Sequence, residues 1–174
     1  GAITGVRFFD EEGGEQYEIK GNQVVNATGV FADDVLMMDS PNAKKTIAPS
    51  QGVHLVLDKS FLPGNDAIMI PKTDDGRVLF LVPWHGRVVV GTTDTPIKEE
   101  SLEPIALDEE IEFILKTAAR YLTKAPKRSD VLSVFAGLRP LAATEEGKKT
   151  KEISRSHKIF TSASGMLTMV GGKW

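Results

Sequence analysis

The sequence predicts an α+β fold, a large and mostly antiparallel sheet covered by one main helix. Two observations carry that expectation. Short β-prone runs recur along nearly the whole chain, joined by residues suited to tight turns. One stretch has the 3.6-residue apolar spacing of an amphipathic helix, with start and stop signals in place. The sequence has no internal repeat, low-complexity tract or coiled-coil heptad.

In chain order, residues 3–9, 15–20 and 22–26 read as short strands, joined by Asp10-Glu11-Glu12-Gly13-Gly14 and by Gly21. A short helix over 31–38 follows Gly29. Strands are expected at 52–57, 67–70, 78–82 and 87–92, with Asp74-Asp75-Gly76 and His85-Gly86 as hairpin turns. Asp108 is expected to cap the main helix, and Glu109 and Glu110 complement its positive end. Ile111, Ile114, Leu115, Ala118 and Leu122 form its apolar face, and Pro126 ends it. Strands at 131–137, 157–161 and 166–170 complete the set, and 142–151 reads as a charged loop.

Composition narrows the function classes. With 174 residues, 41% of them hydrophobic and 26% charged, the chain is an ordinary globular one with room for one real core. A net charge of −3 supplies no basic field for nucleic acid or an anionic membrane, so a bound anion must be held by a local cluster. The absence of cysteine excludes disulfides, thiolate metal sites and a thiol nucleophile, and no metal site is expected. The longest apolar runs, such as 78–84, fall far short of the roughly 20 residues of a membrane span. No secretory signal opens the chain, and it stops on Gly171-Gly172-Lys173-Trp174 straight after an apolar run. The expectation is an internal piece of a longer protein.

Four stretches invite a chemical reading, each beside a purely structural one. In Val24-Val25-Asn26-Ala27-Thr28-Gly29, a buried strand ends in small residues and opens a helix. That lets backbone approach a bulky ligand, or is a plain strand-to-helix turn. His54 alternates with Val53 and Leu55, so it faces away from them, as a base or as a satisfied structural histidine. Gly91-Thr92-Thr93-Asp94 brings two hydroxyls and a carboxylate to one rim of the sheet, as a polar pocket or as a strand cap. Arg139, at the end of an apolar strand and before Pro140, suits bidentate binding of phosphate or carboxylate, or an internal ion pair. Arg155 and Lys173 add two further cations.

Taken in order, V-N-A-T-G, S-Q-G-V-H-L-V, V-P-W, G-T-T-D, A-G-L-R-P-L, S-R-S-H and G-G-K resemble the FAD-dependent, aerobic glycerol-3-phosphate dehydrogenases. These belong to the glycine oxidase and D-amino-acid oxidase flavoprotein superfamily, and the resemblance covers nearly the whole chain. It implies oxidation of sn-glycerol 3-phosphate to dihydroxyacetone phosphate, with FAD as cofactor and quinone as electron acceptor. It implies His54 as the base for the C2 hydroxyl and Arg139 for the substrate phosphate, with Arg155 and Lys173 as further positive groups. Thr92, Thr93 and Asp94 belong near the pocket, and Ala27, Thr28, Gly29, Gly171 and Gly172 beside the cofactor. It also implies a division of the chain: 1–45 in the FAD-binding domain, 46–165 as the substrate-binding cap, and 166–174 as a return to the FAD-binding domain. A cytoplasmic enzyme, peripheral on the inner face of the membrane through regions outside this chain, is expected.

The chain departs from the family in lacking a G-x-G-x-x-G after a strand, so this piece alone is expected to hold FAD poorly and to be inactive. Where some members read G-S-H, it reads Gly52-Val53-His54. Two other readings stay open: a related flavin oxidase acting on an amino acid, amine or 2-hydroxy acid, and a non-catalytic binding module.

Overall fold

A computed structural model describes residues 1–143 and 156–172. The chain forms two compact units, Gly1–Pro49 with Pro140–Trp174, and Ser50–Arg139. The sequence-based boundaries at 45/46 and 165/166 differ from these joins. The second join comes earlier because the last two strands pair with each other and with an N-terminal strand.

In the first unit, β1 (Gly5–Asp10) and β2 (Glu15–Lys20) form an antiparallel hairpin in register from Gly5↔Lys20 to Asp10↔Glu15. Its turn closes by a Gly14 N–H donated to Asp10 O at 2.8 Å, with Gly14 at φ 70°. β3 (Val25–Asn26) leads through one 3₁₀ turn (Gly29–Phe31) into α1 (Ala32–Asp39). β4 (Ile47–Asp58) begins in this unit, and β9 (Ser133–Ala142) ends in it. β10 (His157–Thr161) runs antiparallel to β11 (Leu167–Gly171), and β11 pairs in parallel with β3. Ala32, Ile47, Ala142 and Val170 form its core, with Phe160 packed against them. Buried Asp33 accepts the backbone N–H groups of Thr46 and Ile47, tying the start of α1 to the start of β4.

The second unit is built on one sheet of order β5-β6-β7-β4-β8, with β9 pairing β4. Its remaining strands are β5 (Ile68–Ile70), β6 (Leu79–Trp84), β7 (Arg87–Gly91) and β8 (Thr95–Pro96). The β5–β6, β6–β7, β4–β7 and β4–β8 pairs are all antiparallel. Strand periodicity splits the residues between two faces. Val53, Leu55, Leu57, Leu79, Leu81, Val88 and Val90 turn to one face and are buried against Ile111, Ile114, Leu115 and Ala118 of α2 (Asp108–Ala118). Thus the α+β class, the antiparallel sheet and the covering helix all stand. The opposite face presents Gly52, His54, Phe80 and Gly91, and no helix covers it within this unit.

Several element bounds differ from the sequence reading for identifiable reasons. β4 is longer than 52–57, because Ser50 and Gln51 pair with Pro96 and Thr95 of a two-residue strand the sequence does not announce. β9 runs on through Pro140 to Ala142, so Arg139 lies inside a strand and not at its end. Val25 is 52% exposed, so the V-N-A-T-G strand is not buried along its length. The helix N-cap is Leu107, not Asp108. Leucine has no side-chain acceptor, and the capping interaction is Glu110 accepting the Leu107 N–H at 3.0 Å. Most of the predicted 142–151 loop lies outside the described residues.

The helix-to-sheet packing sets the stability of the second unit. Ile114 is fully buried, so Ile114→Ala should destabilise by about 3 kcal/mol in urea unfolding. Leu102→Ala, at an 84% exposed position, should change stability by less than about 0.5 kcal/mol.

Candidate functional site

The open face of the second unit gathers four of the sequence-predicted residues. His54 pairs across to Gly91 in the β4–β7 register, and Gly91 pairs with Phe80 on its other side. A Cβ at Gly91 would lie 2.9 Å from His54 Cγ, so the imidazole rests on bare backbone that any larger residue would fill. Phe135 of β9 stacks on the other side of the ring, at 5.0 Å and 10° between planes. Phe135, Gly137 and Arg139 alternate on β9 and share a face, while Ala136 between them packs on the helix-side core. A Cβ at Gly137 would meet nothing within 4 Å, which leaves open ground between the aromatic ring and the arginine.

Arg139 lies over Gly52 in the same way, since a Cβ there would overlap its guanidinium. Its Nη2 donates to Thr92 Oγ1 at 2.9 Å and its Nη1 to Thr93 O at 3.1 Å. Asp94 Oδ1 stands 3.7 Å from Nη1 and also accepts the Ser50 hydroxyl. The side chain of Arg139 keeps 30% exposure. The guanidinium thus brings a positive charge to the open face, with Thr92, Thr93 and Asp94 beside it.

That charge bears on His54. Burial first, and the Arg139 guanidinium second, push the imidazole below its ordinary value of 6.5. Among the described residues, neither ring nitrogen of His54 has a hydrogen-bond partner. A neutral imidazole with unengaged nitrogens is a proton acceptor, which is not what a satisfied structural histidine presents.

Beneath the face lies a buried polar network that sequence reasoning did not assemble. Glu110, 5% exposed, accepts from Thr93 Oγ1 at 2.8 Å, Thr95 Oγ1 at 2.6 Å, Gln51 Nε2 at 2.7 Å and the Leu107 N–H. Burial alone would raise the pKa of this carboxyl; these donors overcome it and hold it below the usual carboxylate value. Thr93, 1% exposed, therefore turns its hydroxyl to Glu110 and offers Arg139 only its carbonyl. The signal was present: Glu110 falls four residues before Ile114, on the helix's apolar stripe, where an acidic side chain is out of place. Phe135 was legible as the i−4 neighbour of Arg139 on an alternating strand.

The other predicted residues fall in the first unit. Ala27 and Thr28 are exposed, and Gly29 follows at φ 65° with open space where a Cβ would stand. Asn26 shapes this bend, donating to Ala32 O at 2.8 Å and accepting the Thr28 hydroxyl at 2.8 Å. β3 and β11 are parallel and adjacent, with Thr168 opposite Asn26, so Ala27–Gly29 and Gly171–Gly172 issue from the carboxyl ends of neighbouring parallel strands. Open α/β sheets bind ligands at that edge. Gly171 and Gly172 have φ of 78° and 103°, and a Cβ on Gly171 would lie 2.7 Å from Ser156 O. Backbone free of side chains at these positions fits close approach by a flat, bulky cofactor. Arg155 and Lys173 lie outside the described residues.

Comparison with known proteins gives these two sets of residues a context. The family described as FAD dependent oxidoreductase (DAO) matches residues 1–174. The probable mitochondrial glycerol-3-phosphate dehydrogenase of Caenorhabditis elegans is 41% identical over 177 residues, covering 100% of this chain and 24% of the relative. The human mitochondrial glycerol-3-phosphate dehydrogenase is 38% identical over 174 residues, covering 99% of this chain and 24% of the relative. The chain thus spans about a quarter of the length of these relatives. The solved structure of the glycerol-3-phosphate dehydrogenase from Bacillus halodurans, complexed with FAD, superposes with a TM-score of 0.84 at 32% identity, over 99% of this chain and 32% of that one. The iminodiacetate oxidase of Chelativorans sp. BNC1 shares the fold at a TM-score of 0.59 and 15% identity, over 88% of this chain and 37% of that one.

The electrostatics of the open face can be checked directly. His54 should titrate below 6.5 when its ring protons are followed by NMR, and Arg139→Gln should move that midpoint upward, since it removes one of the two causes. An unchanged midpoint would separate the two side chains.

Proposed function

The chain belongs to the family of FAD-dependent oxidoreductases, and from that premise we propose that it is part of an sn-glycerol-3-phosphate dehydrogenase. One observation carries this reading: an arginine laid over Gly52 and oriented by Thr92 and the Thr93 carbonyl shares a sheet face with a histidine whose ring nitrogens have no hydrogen-bond partner among the described residues. The names of the similar proteins support the substrate.

Arg139 anchors the substrate phosphate, whose charge and geometry its planar guanidinium matches. Thr92 and the Thr93 carbonyl orient the guanidinium, with Asp94 beside it. His54, neutral at physiological pH, takes the proton of the C2 hydroxyl as the carbon becomes a carbonyl. Phe135 fixes the plane of that ring. Bound FAD supplies the acceptor for the C2 hydride. Ala27, Thr28, Gly29, Gly171 and Gly172 would hold it by close backbone approach. Arg155 and Lys173 serve as additional cations for the phosphate.

Family resemblance extends the proposal to the domain division and the electron acceptor. Residues 1–45 and 166–174 belong to the FAD-binding domain, and 46–165 face the substrate. Electrons pass on to quinone, at a peripheral site on the inner face of the membrane reached through regions outside this chain. Among the described residues, no helix is long and apolar enough to cross a membrane. The 174 residues alone contain no G-x-G-x-x-G loop and are inactive by themselves.

In the full-length protein, Arg139→Ala should raise KM for glycerol 3-phosphate roughly 10- to 100-fold, the worth of charge-assisted hydrogen bonds to an anion. Flavin content should be unchanged. Arg139→Lys should recover only part of the loss, because an ammonium lacks the fork. A KM that stays at the wild-type value in Arg139→Ala, or loss of flavin from it, would remove the arginine from the phosphate site.

His54→Ala should instead lower kcat by about 100-fold while changing KM little, as expected for loss of a general base. Steady-state kinetics at saturating substrate separate the two effects. An unaltered kcat would exclude His54 as the base.

A further inference from the structure

The carboxylate of Glu110 is buried among four donors and has no cationic partner among the described residues. A buried charge held only by neutral donors is costly, and a neutral side chain could cap the helix without that cost. Of its four donors, only Thr93 leads on to the open face. The Thr93 hydroxyl donates to Glu110 Oε1 and accepts the Val53 N–H at 2.9 Å, which fixes the residue from two sides. The carbonyl of the same residue receives Arg139 Nη1 at 3.1 Å and the Thr92 hydroxyl at 3.1 Å. Thr92 Oγ1 in turn receives Arg139 Nη2. A continuous chain of hydrogen bonds thus runs from the helix side of the sheet, through the Thr92-Thr93 backbone, to both terminal nitrogens of the guanidinium.

We propose that Glu110 is a positioning residue for the phosphate anchor: by fixing the rotation of Thr93 it sets the direction in which the Arg139 fork faces the substrate. This rests on the reading of Arg139 as the group that binds the substrate phosphate. Glu110 is buried on the helix side of the sheet, away from the open face, so its effect belongs to substrate affinity and not to the chemical step. Glutamine at this position keeps the shape but removes the charge. Its single oxygen can serve either the two threonine hydroxyls, which share Oε1, or the Gln51 and Leu107 donors, which share Oε2. The charge-assisted bond to Thr93 is lost in either case. Valine at Thr93 keeps the volume and removes the link altogether.

The test is a mutant cycle in the full-length flavoprotein, reading KM and kcat for glycerol 3-phosphate together with flavin content. Glu110→Gln and Thr93→Val should each raise KM about tenfold, the value of one charge-linked hydrogen bond, with kcat within about twofold of wild type and flavin retained. Thr93→Ser, which keeps the hydroxyl, should restore KM to near wild type. In the Arg139→Ala background the same two substitutions should change KM by less than about twofold, because the group they act through is gone. Equal effects with and without Arg139, or a fall in kcat at unchanged KM, would overturn the positioning role. If Glu110→Gln does not fold, Thr93→Val decides by the same comparison. Failure of the underlying reading shows separately, as a wild-type KM in Arg139→Ala alone.

Discussion

A carboxylate taken out of water must be surrounded by donors, and in this protein that requirement fixes more of the second unit than any other single contact. Gln51, Thr93, Thr95 and the Leu107 N–H all converge on Glu110, so β4, β8, the turn after β7 and the start of α2 meet at one charge. None of those donors can move far without leaving a buried charge unsatisfied, an outcome that costs several kcal/mol. The same carboxylate caps α2, whose apolar stripe then lies along the inner face of the sheet. What happens on the outer face follows from this inner arrangement, because Thr93 takes part in both.

Glycine supplies the second constraint. Gly52 and Gly91 are the places where Arg139 and His54 lie flat on the sheet, and each would be displaced by a single added carbon. Side chains that rest on backbone lose little freedom on binding, which is how a strand presents a rigid polar group to a ligand. In the first unit the glycines work differently. Gly29, Gly171 and Gly172 take positive φ at the carboxyl ends of two parallel strands, where the chain must turn away and leave an edge open.

The sequence made legible what its periodicities report. Val53 and Leu55 against His54, and Ile111, Ile114, Leu115 and Ala118 along the helix, separate buried from open faces because burial follows the periods of strand and helix. His54, Arg139, Thr92 and Asp94 were readable as residue types suited to anions and protons, and the second unit brings them together. What could not be read was register. Gln51 and Glu110 are 59 positions apart, and no local pattern shows that they meet. Nor does the sequence tell that the glycine under Arg139 is Gly52, or that Phe135 stacks on His54, since both depend on which strand lies beside β4. The two-residue β8 and the extension of β9 through Pro140 leave no local signal for the same reason: pairing, not propensity, makes those residues strands.

The central assignment proposed for this constellation is a phosphorylated alcohol as substrate. The direct measurement is anaerobic bleaching of the flavin in the full-length protein, with glycerol 3-phosphate compared against glycerol, lactate and amino acids. Bleaching by glycerol 3-phosphate, and not by the other compounds at equal concentration, is the predicted result. Bleaching by an amino acid or a 2-hydroxy acid without any response to glycerol 3-phosphate would contradict it.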